Sequence, residues 1–572
     1  MRGSRSFAIL AIAALGAAAC APTTVPSAAP PNPAAAAPSE PRTLVMAVRQ
    51  EPTALTEALG GGLNQAMTIR LFNAGLALVD SREVAHPYLA ETLPQLGTPA
   101  WQLFPDGRME TTYLLKPNLT WHDGTALSGE DFVFAQRVYS TPQLGVAGSA
   151  PYANIDEILV PEPRTLVIRW KSPYSQAGSL DGSQGGLLPL PRHVLSEAFD
   201  QGPLDSFSAL RYWTQDYLGL GPYRLGRWEP GAFLEAAGFS GHALGAPKIE
   251  NVRVMFIGDP NTVLANLLAG GLHIADETTL GFSQALVLRR EWGQHNSGFV
   301  LLNPSLVRMI QVQLKPGVAS PRAVLDVRVR RALSHGVDKQ ALNEGLFEGQ
   351  GFPTDTFVAP TKDYYSLIEQ TVTKYPYDRR RAEQLLTEAG FTPAADGFHV
   401  SSGGERLSME QWVLAGADNE KEVTVVSDGW RELGVETRMR VLSSAQNLDF
   451  ELKATFPGLL STGGPVRESG YRQLSTGGIP TRENNWRGGI NQGGWSNPEY
   501  DRLLDLFNAT LDRAVRAQHV AQMMKIVSDD VPWIPEYFQL RPMAHVTALT
   551  GPEVGAPEST VLWNVHQWDL RV

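Results

Sequence analysis

The 572-residue sequence contains one cysteine, Cys20. No intrachain disulfide, cysteine-rich zinc site or paired-cysteine redox motif can therefore form. Basic residues are in deficit, 48 Lys and Arg against 59 Asp and Glu, for a formal charge of −11. A chain of that sign lacks the basic face that phosphate contact needs, so nucleic acid is not expected as a partner. No Gly-Lys dipeptide occurs, which excludes a phosphate-cradling Walker A loop, and neither His-Glu-x-x-His nor Gly-x-Ser-x-Gly is present. The eleven histidines are scattered. His122 adjoins Asp123 within Trp-His-Asp-Gly, where a turn is the better reading than a metal ligand. Acidic neighbours such as Asp529-Asp530 read as surface features, and spacing nominates no general acid. No catalytic residue, metal ligand or cofactor is assigned, and the chain is not expected to be an enzyme.

Long uncharged runs are also missing. The only extended apolar stretch, Phe7 to Leu15, is far shorter than the roughly 20 residues that span a bilayer. It follows Arg2 and Arg5 and precedes Ala17-Ala18-Ala19, the pattern of a secretory signal peptide over residues 1–19. Cys20 stands directly after these small residues, which resembles a lipoprotein acylation site, although Ala17 occupies the position where leucine is usual. Simple cleavage with an incidental cysteine is the plainer alternative. Residues 20–41 then form a Pro/Ala-rich tether with seven prolines and no large apolar side chain except Val25. Such a segment favours extended polyproline conformations and reaches at most about 65 Å.

What remains can build cores, since 43% of the chain is hydrophobic and only 19% charged. Alternation predicts strands at Thr43–Arg49, Thr111–Leu115, Thr165–Trp170 and Ile249–Ile257. Helical spacing predicts helices over Gln65–Asp80, Pro260–Ala269, Val327–Gly336, Arg379–Ala389, Asn419–Leu433, Tyr500–Phe507 and Ala514–Val527. Another helix begins after Ser128, with Asp131 three residues on in a capping-box pattern. Strands and helices are mixed throughout, so the class is α/β or α+β. The Gly-, Ser-, Thr- and Asn-rich stretch Gly458–Gly494 reads as a long loop, and long loops inside compact bodies are usually functional. Of the thirteen tryptophans, Trp121, Trp228 and Trp430 read as core or corner anchors. Trp486 and Trp495, inside or beside the glycine-rich stretch, are candidates for lining a pocket.

Six ordered segments carry a family likeness: LLKPNLTWHDGTALSGEDFVFA, LGLGPYRLGRWEPG, PKIENVRVMFIGDPNTVLANLLAGGLHIAD, DVRVRRALSHGVDKQAL, GGWSNPEYDRLL and VPWIPEYF. Together they resemble the extracellular solute-binding proteins of family 5, the oligopeptide- and dipeptide-binding proteins of ABC importers. The likeness runs over nearly the whole mature chain, with Leu220 where that family usually has threonine. It implies an α/β, two-lobed, hinged periplasmic-binding-protein fold of the large class with a third domain. By position, lobe I takes residues 42–75, 215–310 and 546–572, the extra domain 76–214, and lobe II 311–545. It also implies an oligopeptide or dipeptide ligand enclosed between lobes. The ligand contacts expected by position are Gly61, Gly62, Leu63 and Asn64 of lobe I, and Leu460, Ser461, Thr462, Trp486, Arg487 and Trp495 of lobe II. The implied partners are a membrane permease and its separate ATPase subunits, with the protein a monomer held at the extracytoplasmic face by lipid on Cys20 alone.

One departure bears on the ligand. Peptide binders of this family hold the peptide ammonium with an aspartate in a loop that corresponds here to Phe456–Pro465, and FPGLLSTGGP contains no acid. An ammonium buried without a carboxylate costs several kcal/mol. Either Glu468 or another acid substitutes, or the ligand is a non-peptide solute such as an oligosaccharide, a conjugate or a metal chelate. Arg467, Arg472, Arg482 and Arg487 crowd the same region, and guanidinium groups suit carboxylate and hydroxyl oxygens. A secreted hydrolase, or a sensor or chaperone without transport, are the readings from other classes.

Overall fold

The computed structural model describes residues 41–56, 69–144, 150–181, 186–447, 449–464, 466–484, 486, 489–555 and 561–571. Cys20, Gly61, Gly62, Leu63, Asn64 and Arg487 lie outside these residues. The chain separates into two units, Met1–Pro41 and Arg42–Val572, and the second carries the fold.

Strand β1 (Thr43–Val48) is buried on both faces, with Leu44, Met46 and Val48 in one core and Ala47 in another. Helical structure after it ends at Leu71-Phe72, short of the helix expected to run to Asp80. Asn73 diverts the chain, its amide donating to Leu55 O and Ile69 O, and Ala77 N–H then bonds Leu180 O. Strands β2 (Ala77–Val79) and β3 (Ala85–Pro87) follow as a hairpin. Four more strands, β4 (Trp101–Leu103), β5 (Met109–Leu114), β6 (Ile155–Glu162) and β7 (Thr165–Trp170), form a separate antiparallel sheet in the order β4-β5-β7-β6.

Among the described residues the main sheet has eleven strands. Its first part is β8 (Tyr223–Glu229), β9 (Phe233–Gly238), β10 (Asn251–Phe256), β11 (Ile274–Ala275) and the long β12 (Gly298–Val312). Strand β13 (Phe352–Pro353) and a small hairpin of β14 (Phe391–Pro393) and β15 (His399–Ser401) follow. The series closes with β16 (Ser408–Leu414), β17 (Glu436–Leu442), β18 (Leu459–Gly464) and β19 (Trp533–Val546). Their spatial order is β17-β16-β18-β12-β19-β11-β1-β10-β9-β8, with β13 on β19. Strand β18 occupies the start of the stretch expected to be a loop. Its run Leu459-Leu460-Ser461 is too short to signal a strand alone, and its two neighbours in the sheet supply the pairing.

Helix starts follow local chemistry. Ser128 and Asp131 close a capping box on Gly129–Tyr139. Asp259, Asp326, Asp338, Asp378, Asn497 and Asp512 each accept a first-turn N–H at the head of a helix. Among the described residues no helix is long and apolar enough to cross a membrane.

Two of the sequence segments interlock. The Nδ1 of buried His122, in the Trp-His-Asp-Gly turn, accepts from Gly219 N–H at 3.3 Å, and its Nε2–H donates to Gly221 O at 3.0 Å. Leu220 and Gly221 in turn both donate backbone N–H to Phe72 O. A Cβ at Gly221 would lie 2.4 Å from the carbonyl carbon of Phe72 and 2.5 Å from Asn73 N. Gly221→Ala is therefore expected to lose about 1–3 kcal/mol by overpacking. Gly317→Ala, which meets nothing within 4 Å, serves as the control in the same urea titration. If both variants unfold at the wild-type midpoint, the close approach at Gly221 is not real.

Burial pushes the imidazoles of His122, His242 and His566 down to about 4. Unfolded histidine binds its proton near pH 6.5. Between those values the unfolded chain holds more protons than the folded one, so stability is full above pH 6.5 and falls as pH drops towards 4. Urea midpoints measured across that range should decline steadily, and His122→Gln should flatten the decline. A pH-independent midpoint would contradict the neutral, doubly hydrogen-bonded imidazole.

Candidate functional site

Strands β12 and β19 are the long elements that join the sheet's two halves. Residues Gly298–Pro304 of β12 pair with Leu540–Val546 of β19, beside β11 and β1, whereas Val307–Val312 lie between β18 and the first half of β19. The ladder breaks register between Pro304 and Val307 and again between Arg308 and Met309, so the crossing is bulged. Strand directions then locate a site. Because β11 is antiparallel to β19, and β1 and β10 are parallel to its direction, these strands end towards the crossing. From the other half, β18 is antiparallel to β12 with Gly464 opposite Val307, and β16 is parallel to β18. Both halves thus point the carboxyl ends of their parallel strands at the crossing, where open α/β sheets bind ligands.

Charges from the two halves meet at this seam. The β2–β3 turn is held rigid by Asp80, whose Oδ1 accepts from Arg82 N and Val84 N, each at 2.9 Å. At its tip Glu83 takes a left-handed conformation and its carboxylate meets Lys362 Nζ at 2.6 Å, with both side chains buried. Lys362 belongs to the other half, between the core residues Ala359 and Tyr364. Beside it Glu468, just after β18, accepts from Arg516 at 2.7 Å and from Tyr364 OH at 2.8 Å. Burial opposes the charge on Glu468, but Arg516, Lys362 and the Tyr364 hydroxyl outweigh it and hold the carboxyl below its usual range. Arg513 pairs with Asp363, and Arg70 with Asp181.

The floor of the seam is also polar. Beyond β11, Asp276 is buried with its Oδ1 taken by Thr278 and its Oδ2 without a partner among the described residues. Burial pushes its carboxyl up to about 7. Glu277 accepts from Asn303 Nδ2 at 2.5 Å, and Asn303 faces Arg541 directly across the β12–β19 ladder. On the lobe side of the crossing, Arg308 donates twice to fully buried Glu422, at 2.9 and 2.8 Å, and Tyr537 OH bonds the same carboxylate. Glu536, the bulged residue of β19, carries two buried oxygens without partners among the described residues. Burial first, and Glu422 next, drive its carboxyl far above the usual range.

The sequence candidates are distributed unevenly over this geometry. Leu460 is buried in a small core with Trp412, Leu442 and Phe456, and Ser461 Oγ accepts from Gln411 within the sheet. Thr462, half-buried, pairs with Met309 near the crossing. Trp486 is half-buried at a positive φ of 60°, its N–H on Thr481 O. Trp495 sits inside a core, packed against Trp533 and Tyr500 with its indole N–H on Asp530. At 5% exposure, Trp495 serves that core in this structure. Arg472 and Arg482 are exposed. Lys362, Arg516, Asp276, Glu277, Asn303 and Arg541 were not singled out by the sequence. Only Asp276 gave a signal, as the last residue of the family-like segment PKIENVRVMFIGDPNTVLANLLAGGLHIAD.

A family model describing the middle part of bacterial extracellular solute-binding proteins, family 5, matches residues 91–481. The chain belongs to this family. Among its relatives, the oligopeptide-binding protein AppA of Bacillus subtilis is 20% identical over 498 residues, covering 84% of this chain and 83% of AppA. A Brucella ovis relative, named for peptide binding in an ABC transporter, is 22% identical over 296 residues. That alignment takes 51% of each protein, so the chain spans about half the length of that relative. The solved structure of AppA with a nonapeptide superposes with a TM-score of 0.70 at 19% identity, over 93% of this chain and all of AppA. NikZ of Campylobacter jejuni, in complex with Ni(L-His), gives 0.72 at 20% identity, over 92% of this chain and 99% of NikZ. The family 5 fold, a mixed α/β body of the periplasmic-binding-protein type, is therefore the architecture of Arg42–Val572.

Proposed function

We propose that this chain is the solute-capturing component of an ABC importer, closing two lobes around its ligand and presenting the closed form to a membrane permease. The carrying observation is the seam itself: carboxyl ends from both halves open onto a crossing made by β12 and β19, and Glu83 of one half meets Lys362 of the other. Ligand affinity in such a device is differential affinity for the closed state, and no covalent step is required. Lobe I takes residues 42–75, 215–310 and 546–572, the extra domain 76–214, and lobe II 311–545. Residues 1–19 are a signal peptide, and acylated Cys20 with the tether of residues 20–41 keeps the body at the extracytoplasmic face as a monomer. The permease and its ATPase subunits supply the energy.

Peptide is the default ligand, supported by the names of the relatives. A non-peptide solute is the second reading, because Phe456–Pro465 contains no acid and both oxygens of Glu468 are already engaged by Tyr364 and Arg516. Native mass spectrometry of the purified protein, before and after unfolding and refolding, separates these readings. A ladder of peptide masses lost on refolding supports peptide capture, and a single non-peptide mass supports the second reading. If permease and ATPase subunits fail to be stimulated by the loaded protein in vesicles, the importer role is rejected.

A further inference from the structure

At the floor of the seam three polar groups converge without satisfying one another. Arg541 and Asn303 are direct partners across the β12–β19 ladder, so their side chains leave the sheet on the same face. Arg541 is half-buried, and its guanidinium makes no hydrogen bond or ion pair with any described residue. It nonetheless lies within electrostatic range of Glu277, Asp276 and Arg49. Asn303 has its Nδ2 on Glu277 and its buried Oδ1 without a partner among the described residues, and Asp276, 1% exposed, has a buried Oδ2 in the same condition. A guanidinium within electrostatic range of two carboxylates yet bonded to neither leaves a gap in the hydrogen bonding, and buried polar atoms are rarely left without partners. The gap stands where β1 and β11 end, on the side from which ligand enters an open α/β sheet.

We propose that Arg541, Asp276 and Asn303 form an anchoring subsite for an uncharged group carrying a hydrogen-bond donor and an acceptor side by side, an amide. Its carbonyl oxygen takes the Arg541 fork, and its N–H serves the vacant oxygen of Asp276 or Asn303. Charge selects the class. Arg541 and Arg49 are opposed by Glu277 and Asp276, so attraction and repulsion largely cancel for a ligand carboxylate or ammonium and leave its desolvation uncompensated, whereas a neutral amide carries no such charge to desolvate. Because the subsite belongs to the crossing strands, an occupant there touches both lobes' connection and senses closure directly. The inference rests on the reading of the chain as a solute-capturing protein and adds the chemistry of its anchor.

The test uses the full chain and a tryptic digest of casein as the probe, with retained peptides counted by mass spectrometry after gel filtration. Wild type is expected to retain peptides. Arg541→Met and the near-isosteric Asn303→Asp are each expected to retain at least tenfold less, while Arg541→Lys recovers part of the loss and the exposed Arg472→Met retains as much as wild type. Thermal unfolding of each variant guards against misfolding. Should Arg541→Met and Asn303→Asp, folded as wild type, retain peptides equally, the subsite is overturned and the capturing role stands. If wild type itself retains none, peptide capture and the amide subsite fall together.

Discussion

Replacing Glu422 and Glu536 together by glutamine is expected to cost about 3–5 kcal/mol of folding stability, the penalty for leaving a buried cation without its carboxylate. Arg308 is almost enclosed and Glu422 fully so, and the two share a bidentate contact that Tyr537 completes. Single Glu422→Gln should cost less. Burial and the negative charge of Glu422 both raise the Glu536 carboxyl, and once the Glu422 charge is gone Arg308 favours an ionised Glu536 in its place. Removing both acids closes this escape. The triple variant that adds Arg308→Met should recover most of the loss, since a buried ion pair replaced by apolar groups is often close to neutral. Urea unfolding midpoints give the comparison, and a double variant within 1 kcal/mol of wild type, a margin well below the usual cost of a broken buried pair, would show that Arg308 is solvated.

Glu83→Gln should shift the lobes towards opening by about 2–5 kcal/mol, the usual cost of truncating one member of a buried, hydrogen-bonded charge pair across an interface. In this structure Lys362 is almost fully enclosed, and Glu83 is aimed at it by a turn that Asp80 braces from within. Without the carboxylate the ammonium is better solvated when the lobes part. Adding Lys362→Met removes the charge that Glu83 no longer balances and should restore closure. Small-angle scattering of the free protein reads the change as a larger radius of gyration for Glu83→Gln and a return for the double variant. Equal radii for all three proteins would mean that this pair does not act on closure.

Much of the body was legible where local physics decides. Helices at Pro260–Leu268 and Arg513–Asp530 declare themselves through an acidic cap and apolar spacing, and β7 through strict alternation. The crossing was not legible. Strand β12 contains Asn303, Pro304, Arg308 and Gln311, and β19 contains Pro535, Glu536, Arg541 and Pro542, residues that read locally as strand breakers. They are tolerated because distant partners satisfy them: Glu422 lies 114 residues from Arg308, and the prolines sit at or near register breaks. The same reason hid the site. Asp276 and Arg541 are neighbours only because β11 pairs antiparallel with β19, a fact of topology that no window of sequence contains. The core role of Trp495 was hidden for the opposite reason. Its glycine-rich surroundings suggested a loop, yet its ring seals a core with Trp533.

The bulged crossing has a mechanical consequence. Two adjacent hydrogen-bonded ribbons resist twisting and sliding but yield to bending across the pleat, most easily at Pro304–Val307 where the ladder is already interrupted. In the closing motion proposed above, the two lobes would therefore bend at that line. Every occupant meets the same sequence of approaching groups along the same arc, whatever its size or chemistry. Discrimination is then deferred to the last degrees of travel, when Glu83 reaches Lys362.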